Sequence, residues 1–405
     1  MRRFLTTAVA VMMAATALTA CGGSSASEAS SAAPAASSSA ASSEAASEPS
    51  APASGETIKI GVMGPLTGDV SVYGIATTNG VKMAFDEINA NGGINGQQIE
   101  MVLMDEKGDS TEAVNVYNSM VDQGVVAVIG DVTSKPCLAV AEVATADNMP
   151  MLTATGTAAD ITQVGPNVFR TCFMDPFQGK IMATFAAENL KATKVAAMFD
   201  TSSDYSMGLA DSFKAQAEAK GMEVVAFEGY GAADTDFTTL LNKIVAAGPD
   251  AIFVPDYYGD VSLALDQARN SAGYDGPMLG GDGWDGVLGA ISADKISATN
   301  NGYFSNHYST ADEAAAKFLE EYKNLFNLEG NAFSALGYDS AYIMAAAIEA
   351  AGSTDADAII EALNQTDYTG VTGHITFDEN GDPIKTVAIT QFVDGKPELA
   401  AKVEA

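Results

Sequence analysis

Between residues 57 and 279, short apolar runs alternate with stretches of helical periodicity, and this alternation restricts the fold more than any other feature of the chain. Residues 57–63 (TIKIGVM) read as a continuous apolar strand, followed by the loop GPLTGDVSVYG and a helix marked by Val81, Ala84, Phe85 and Ile88. Asn91, Gly92 and Gly93 stop that helix. The same unit returns as a strand at 98–104, a helix at 111–121, a strand at 125–129, a helix from Pro136 and a strand at 150–153. After Phe177 the rhythm starts again, with helices at 179–190, 209–220, 237–247 and 261–272 between strands at 194–198, 223–227, 251–254 and 277–279. Strands alternating with helices predict parallel, doubly wound sheets, and two successive series of similar size predict two similar lobes. The last hundred residues differ. Helices are expected near 314–326 and 332–351, then a hairpin with Asp378-Glu379-Asn380-Gly381 between strands at 374–377 and 387–392. Such a mixed tail is suited to return the chain across both lobes.

In an open parallel sheet, ligands bind beyond the carboxyl ends of the strands, where backbone N–H groups and helix N-termini are left to hold an anion. Two apolar runs here end in hydroxyl clusters, Thr133 and Ser134 in one case and Thr153, Thr155 and Thr157 in the other. These clusters fit a ligand pocket, and they also fit ordinary helix caps. Tyr73, Tyr205, Tyr257 and Trp284 each follow a predicted strand within a loop, where pocket walls lie in this class of fold.

Of the 405 residues, 20 are basic and 52 acidic, a net charge of −32. A field of that sign repels nucleic acid and anionic surfaces, so no nucleic-acid partner is expected. Residues 1–20 carry Arg2 and Arg3 before an apolar run that is short for a membrane span, as an export signal does. Residues 21–56 are nearly all Ser, Ala, Glu and Pro, a composition that cannot form a core and predicts a disordered tether. Beyond Cys21 there are only Cys137 and Cys172, which export would allow to pair, although the apolar run VFRTCF around Cys172 also suits a buried free thiol.

Enzyme chemistry finds little support. The only histidines are His307 and His374, and no HExxH, CxxC or GxSxG occurs, so neither a metal nor a catalytic triad is expected. The stretch GDGWDG at 281–286 matches GxGxxG, but Trp284 and two aspartates would crowd a pyrophosphate, and no cofactor is expected. Asp378, Asn380 and Asp382 imitate the start of a calcium loop, yet Pro383 stands where its glycine belongs and a turn explains them better.

IKIGVMGPLTG, INANGGINGQ, VVAVIG with Ser134, PMLTATGTAADIT and TFDENGD together resemble the type I solute-binding proteins of ABC transporters, and within them the leucine/isoleucine/valine-binding proteins. The resemblance runs from Thr57 to the C-terminus. It implies an α/β fold of two lobes, each a doubly wound parallel sheet flanked by helices, joined by a multi-strand hinge. The expected boundaries are 57–173 plus 310–385 for one lobe and 174–309 plus 386–405 for the other. Leu18-Thr19-Ala20-Cys21-Gly22 resembles a lipobox, which implies lipidation of Cys21 and the lipid-anchored, extracellular form found in Gram-positive bacteria. For the ligand, the resemblance implies that Ser134 and Thr157 hold an amino acid's carboxylate, with Thr155 and Gly156 supplying neighbouring backbone groups. Asp282 would meet the ammonium, and Tyr73, Tyr205 and Tyr257 would enclose the side chain. The chain departs from many relatives in having Asp282 in place of a glutamate, and Gly108 at one position of a cysteine pair. The expected partners are a small amino acid, ABC permease subunits and the membrane through the anchor, with the protein a monomer and not an enzyme. The rival expectations are a receptor subunit that reports its ligand to a sensor, an enzyme that uses the 282–286 loop (DGWDG) as a cofactor cradle, an inert surface protein, and a binder of small amides or carboxylates.

Overall fold

The computed structural model describes residues 57–309 and 312–403. The export signal, Cys21 and the tether lie outside the described residues. The first sheet contains β1 (Ile58–Gly64), β2 (Ile99–Asp105), β3 (Ala127–Ile129), β4 (Met151–Thr153) and β5 (Val168–Arg170), all parallel, in the order β2-β1-β3-β4-β5. Central β1 is buried at six of its seven positions, whereas edge strand β2 exposes Glu100 and Leu103. That contrast follows from helices covering both faces of a central parallel strand. Helices α1 (Ser71–Ala90), α2 (Ser110–Asp122) and α3 (Ser134–Ala146) connect the strands. Asp109 fixes the start of α2, its Oδ1 accepting from the Thr111 and Glu112 amides at 2.9 Å each.

The chain then crosses to a second sheet through α4 (Asp175–Glu188). There β6 (Lys194–Asp200), α5 (Asp204–Ala219), β7 (Glu223–Tyr230), α6 (Thr238–Ala246), β8 (Ala251–Phe253), α7 (Tyr258–Asn270), β9 (Met278–Gly280), the short α8 (Val287–Ala290) and β10 (Gly302–Asn306) repeat the alternation. Their parallel order, β7-β6-β8-β9-β10, reproduces that of the first sheet. A second crossing leads to α9 (Glu313–Phe326), α10 (Ala332–Ala351) and α11 (Ala356–Asn364), whose apolar faces pack with α1 and the first sheet. The small strands β11 (Asp367–Gly370), β12 (Gly373–Phe377) and β13 (Pro383–Ile384) follow. A third crossing at 385–386 returns the chain as β14 (Val387–Val393) and β15 (Lys396–Val403), antiparallel at the edge of the second sheet.

This tail corrects two expectations. The 374–377 strand does not pair with 387–392; it pairs with β11 and with the two-residue β13, while β14 lies against β10. The turn itself forms as expected, the Asp378 Oδ1 accepting from the Asn380 and Asp382 amides. What redirects the chain is Lys385, buried in the third crossing, where it donates to the Thr171 carbonyl and the Thr372 hydroxyl. The second sheet is therefore mixed, not wholly parallel.

Helices α1 and α10 touch backbone to backbone. A Cβ at Gly80 would lie 2.0 Å from the Ser334 carbonyl oxygen, and one at Gly337 would lie 2.2 Å from that of Thr77. Only glycine permits this approach. It brings Tyr73, in the first turn of α1, over Phe333, in the first turn of α10, stacked at 4.1 Å between ring centroids. Both rings join an apolar cluster with Tyr258, Trp284 and Val287 of the other lobe, so the two lobes meet face to face in a closed arrangement.

Candidate functional site

In both sheets the strand order reverses beside the first strand, between β1 and β3 and between β6 and β8. The crevice outside the carboxyl ends at such a switch point is where doubly wound folds hold ligands. The two crevices face each other across a narrow, nearly filled gap. Val132, Thr133, Ser134, Thr155, Thr157 and Phe333 line it from one lobe, and Tyr205, Tyr257, Asp282 and Gly283 from the other.

The first wall is hydroxyl-rich and stiff. Ser134 opens α3, whose first turn contains no acidic residue, so the positive end of the helix dipole is uncancelled there. The Ser134 hydroxyl accepts from the Ala158 amide at 3.2 Å, and its own amide faces the Tyr257 hydroxyl of the opposite lobe. Thr155 donates to the Val132 carbonyl at 2.7 Å, and Thr157 hydrogen-bonds the Asp175 carboxyl. Gly156 takes no place in the cavity wall. Its N–H donates to Thr153 Oγ1, and its carbonyl accepts from Arg170 Nη1 and the Cys172 thiol. Fully buried Arg170 also donates to the Ala158 and Ala159 carbonyls and pairs with Asp382 at 2.6 Å, so one guanidinium fixes the whole 156–162 loop. Cys137 and Cys172 are both buried, unpaired thiols; burial pushes Cys137 up to about 12, so it remains protonated.

The second wall holds the charge. Asp282 is 3 % exposed, and its Oδ1 accepts from Gln178 Nε2 at 3.0 Å and the Tyr205 hydroxyl at 2.9 Å. Its Oδ2 lies 3.1 Å from His307 Nε2. Burial pushes His307 down to about 4, so the ring is neutral near pH 7 and donates without compensating the charge. Among the described residues no lysine or arginine pairs with Asp282. The Asp175 carboxyl, buried behind Thr157, is pushed well up by burial and by the negative charge of Asp282. The site thus presents one desolvated negative charge held by neutral donors, opposite hydroxyls and amides at a helix N-terminus. Such an arrangement is electrostatically suited to a cation at one end and an anion at the other.

The tyrosines take two different places. Tyr257 caps α7 and stacks on Tyr205 at 4.8 Å, both against the cavity. Tyr73 lies outside the lining. Its hydroxyl donates to the Gly283 carbonyl and accepts from the Tyr258 amide, so it ties the lobes together. Trp284, expected in a pocket wall, is instead fully buried in the second lobe and donates from Nε1 to the Val254 carbonyl. Gly280 makes room for it, since a Cβ there would meet the indole nitrogen at 1.9 Å. Sequence reasoning missed Gln178, His307, Phe333, Val132 and Gly283 in these roles. Only Phe333 carried a signal, at the start of a helix capped by Asn331 and Ser334. Among the described residues no cluster of three or more His, Cys, Asp or Glu side chains is arranged to hold a metal, and no helix is long and apolar enough to cross a membrane.

Comparison with known proteins agrees with this architecture. A periplasmic binding protein family model matches residues 57–397. A solved structure of the branched-chain amino acid transporter substrate-binding protein LivJ from Streptococcus pneumoniae, in complex with isoleucine, is 36% identical, with a TM-score of 0.80 over 86% of this chain and 100% of the other. A leucine-binding protein LivK from Thermotoga maritima is 35% identical, with a TM-score of 0.80 over 86% of this chain and 99% of the other. The leucine-, isoleucine-, valine-, threonine- and alanine-binding protein of Pseudomonas aeruginosa is 33% identical over 81% of this chain and 87% of its own length. With the two lobes, their matching strand order and the cleft between them, these likenesses place the chain in the periplasmic binding protein family, among the type I solute-binding proteins similar to leucine/isoleucine/valine-binding proteins.

Proposed function

We propose that this protein captures a small neutral α-amino acid between its lobes and delivers it to the permease subunits of an ABC importer, working outside the cell from a lipid anchor at Cys21. The observation that carries the proposal is Asp282: a buried carboxylate with three neutral donors and no cation is a prepared seat for an ammonium group. Opposite it, Ser134 and Thr157 supply hydroxyls and the N-terminus of α3 for the carboxylate. Val132, Phe333 and the Tyr205–Tyr257 stack surround the side chain with an apolar lining that offers it no charge. Because the ligand's two ends are held by different lobes, binding favours the closed arrangement. The family resemblance and the LivJ complex with isoleucine support branched-chain or other small neutral amino acids as the ligand class. The lipobox-like segment before Gly22 supports the anchor. The boundaries expected for the lobes, 57–173 plus 310–385 and 174–309 plus 386–405, are retained as part of this proposal.

The test is thermal shift followed by calorimetry on protein stripped of carried-over ligand by unfolding and refolding. The panel is the twenty amino acids and their analogues lacking the amino group. A ligand with a micromolar dissociation constant, present at millimolar concentration, adds about 4 kcal/mol of stability. Stabilisation by one or more neutral α-amino acids and by none of the deaminated analogues is expected. Stabilisation by the analogues alone would overturn the role given to Asp282.

A further inference from the structure

His307 is the first residue after β10, on the second crossing between the lobes. Its side chain is fully buried, and its ring stacks at 3.7 Å and 18° on Phe173, which lies on the first crossing. Two of the three hinge segments therefore fix one imidazole plane. That imidazole reaches Asp282 Oδ2 at 3.1 Å, in the same lobe but on the loop after β9. A carboxylate only accepts hydrogen bonds, so Nε2 carries the proton, and Nδ1 is left buried without a hydrogen-bond partner. An unpartnered nitrogen inside a protein is costly, and the ring keeps it while directing its one N–H at Asp282. Gln178 acts from the other side. Its Nε2 donates to Oδ1 while its Oε1 accepts from the Asp282 amide and the Ser305 hydroxyl.

We propose that His307 is a positioning residue for ligand binding, which holds Asp282 from the hinge through a neutral Nε2–H so that the carboxylate faces the cleft. This inference rests on Asp282 being the seat of the ligand's ammonium. Asp282 is one methylene shorter than glutamate and has few rotamers, so its direction depends on the groups that grip it. Groups that orient a ligating side chain without touching the ligand typically change affinity by one or two orders of magnitude when lost.

The experiment is a double-mutant cycle on the full chain with L-leucine as the probe, by calorimetry at pH 7. His307→Phe keeps a ring against Phe173 but removes the donor, and is expected to weaken binding by at least tenfold. His307→Gln restores an N–H donor and is expected to recover affinity to within about threefold of wild type. In an Asp282→Asn background, His307→Phe is expected to change affinity by less than about twofold, because the group it positions has lost its charge. With only two histidines in the chain, nitrogen NMR of labelled His307 reads the tautomer directly, and an Nε2–H signal at pH 7 is expected. Equal losses from His307→Phe in both backgrounds, or an Nδ1–H tautomer, would overturn the inference while leaving the amino-acid reading intact. Failure of the wild-type protein to bind any α-amino acid would overturn both.

Discussion

Asp282→Asn preserves the volume of the side chain and removes its charge, so it separates the electrostatic role of this residue from its packing. In the closed cleft the carboxylate is 3 % exposed and hydrogen-bonded by Gln178, Tyr205 and His307, all neutral. An asparagine oxygen at the Oδ1 position can keep the bonds from Gln178 and Tyr205. Its NH₂ group then meets His307 Nε2, which turns from donor to acceptor by moving the ring proton to Nδ1, where no partner is displaced. The ligand-free protein should therefore lose little, within about 1 kcal/mol, since the burial cost of an unpaired charge is removed together with one charge-assisted bond. The complex has no such compensation. A desolvated ammonium left without its counter-charge costs about 2–5 kcal/mol, or roughly thirtyfold to several thousandfold in affinity. Calorimetric titration with an amino acid that binds the wild type measures the second effect, and thermal melts of stripped protein measure the first. Binding within about threefold of wild type would refute the assignment, and so would an equal loss for a deaminated analogue of the same ligand.

Three further outcomes are expected. Glu106 and Asp131 are buried carboxyls hydrogen-bonded to each other, both pushed up by burial, and Glu106 further by the charge of Asp131. Because they keep a proton that the unfolded chain loses, their contribution is greatest below the ordinary carboxyl range and declines as pH rises from about 5 to 8; Glu106→Gln should flatten the dependence of melting temperature on pH over that range, and an unchanged slope would refute the shared proton. Arg170→Met strands Asp382 and frees four acceptors in the 156–162 loop, so unfolding free energy should fall by about 3–5 kcal/mol in urea titrations, and retention of wild-type stability would show that the ion pair is dispensable. Tyr258 donates from the second lobe to the Asp69 carbonyl of the first at 2.5 Å, so Tyr258→Phe should weaken the closed state by about 0.5–1.5 kcal/mol and speed ligand release; an unchanged dissociation rate in stopped flow would argue against the latch.

The sequence by itself determined the alternation of strands and helices, because a strand covered on both faces must be apolar along its length and each surface helix must show one apolar stripe. It also marked the hydroxyl-ended strands that line the cleft from one side, since Ser134, Thr155 and Thr157 follow β3 and β4 directly. Tertiary structure alone decided the rest. Trp284 and Tyr257 both looked like pocket aromatics after a strand, and only the void above Gly280 draws one of them into the core. Nothing local distinguishes the 374–377 and 387–392 strands from a hairpin, and their separation depends on Lys385 finding Thr171, more than two hundred residues away. Gln178, His307 and Phe333 reach the site from α4, the hinge and α10, elements with no sequence proximity to Asp282 or Ser134. A local pattern records what each segment must bury, whereas a cleft between two lobes is defined by contacts between segments, and those exist only once the chain has crossed the hinge three times.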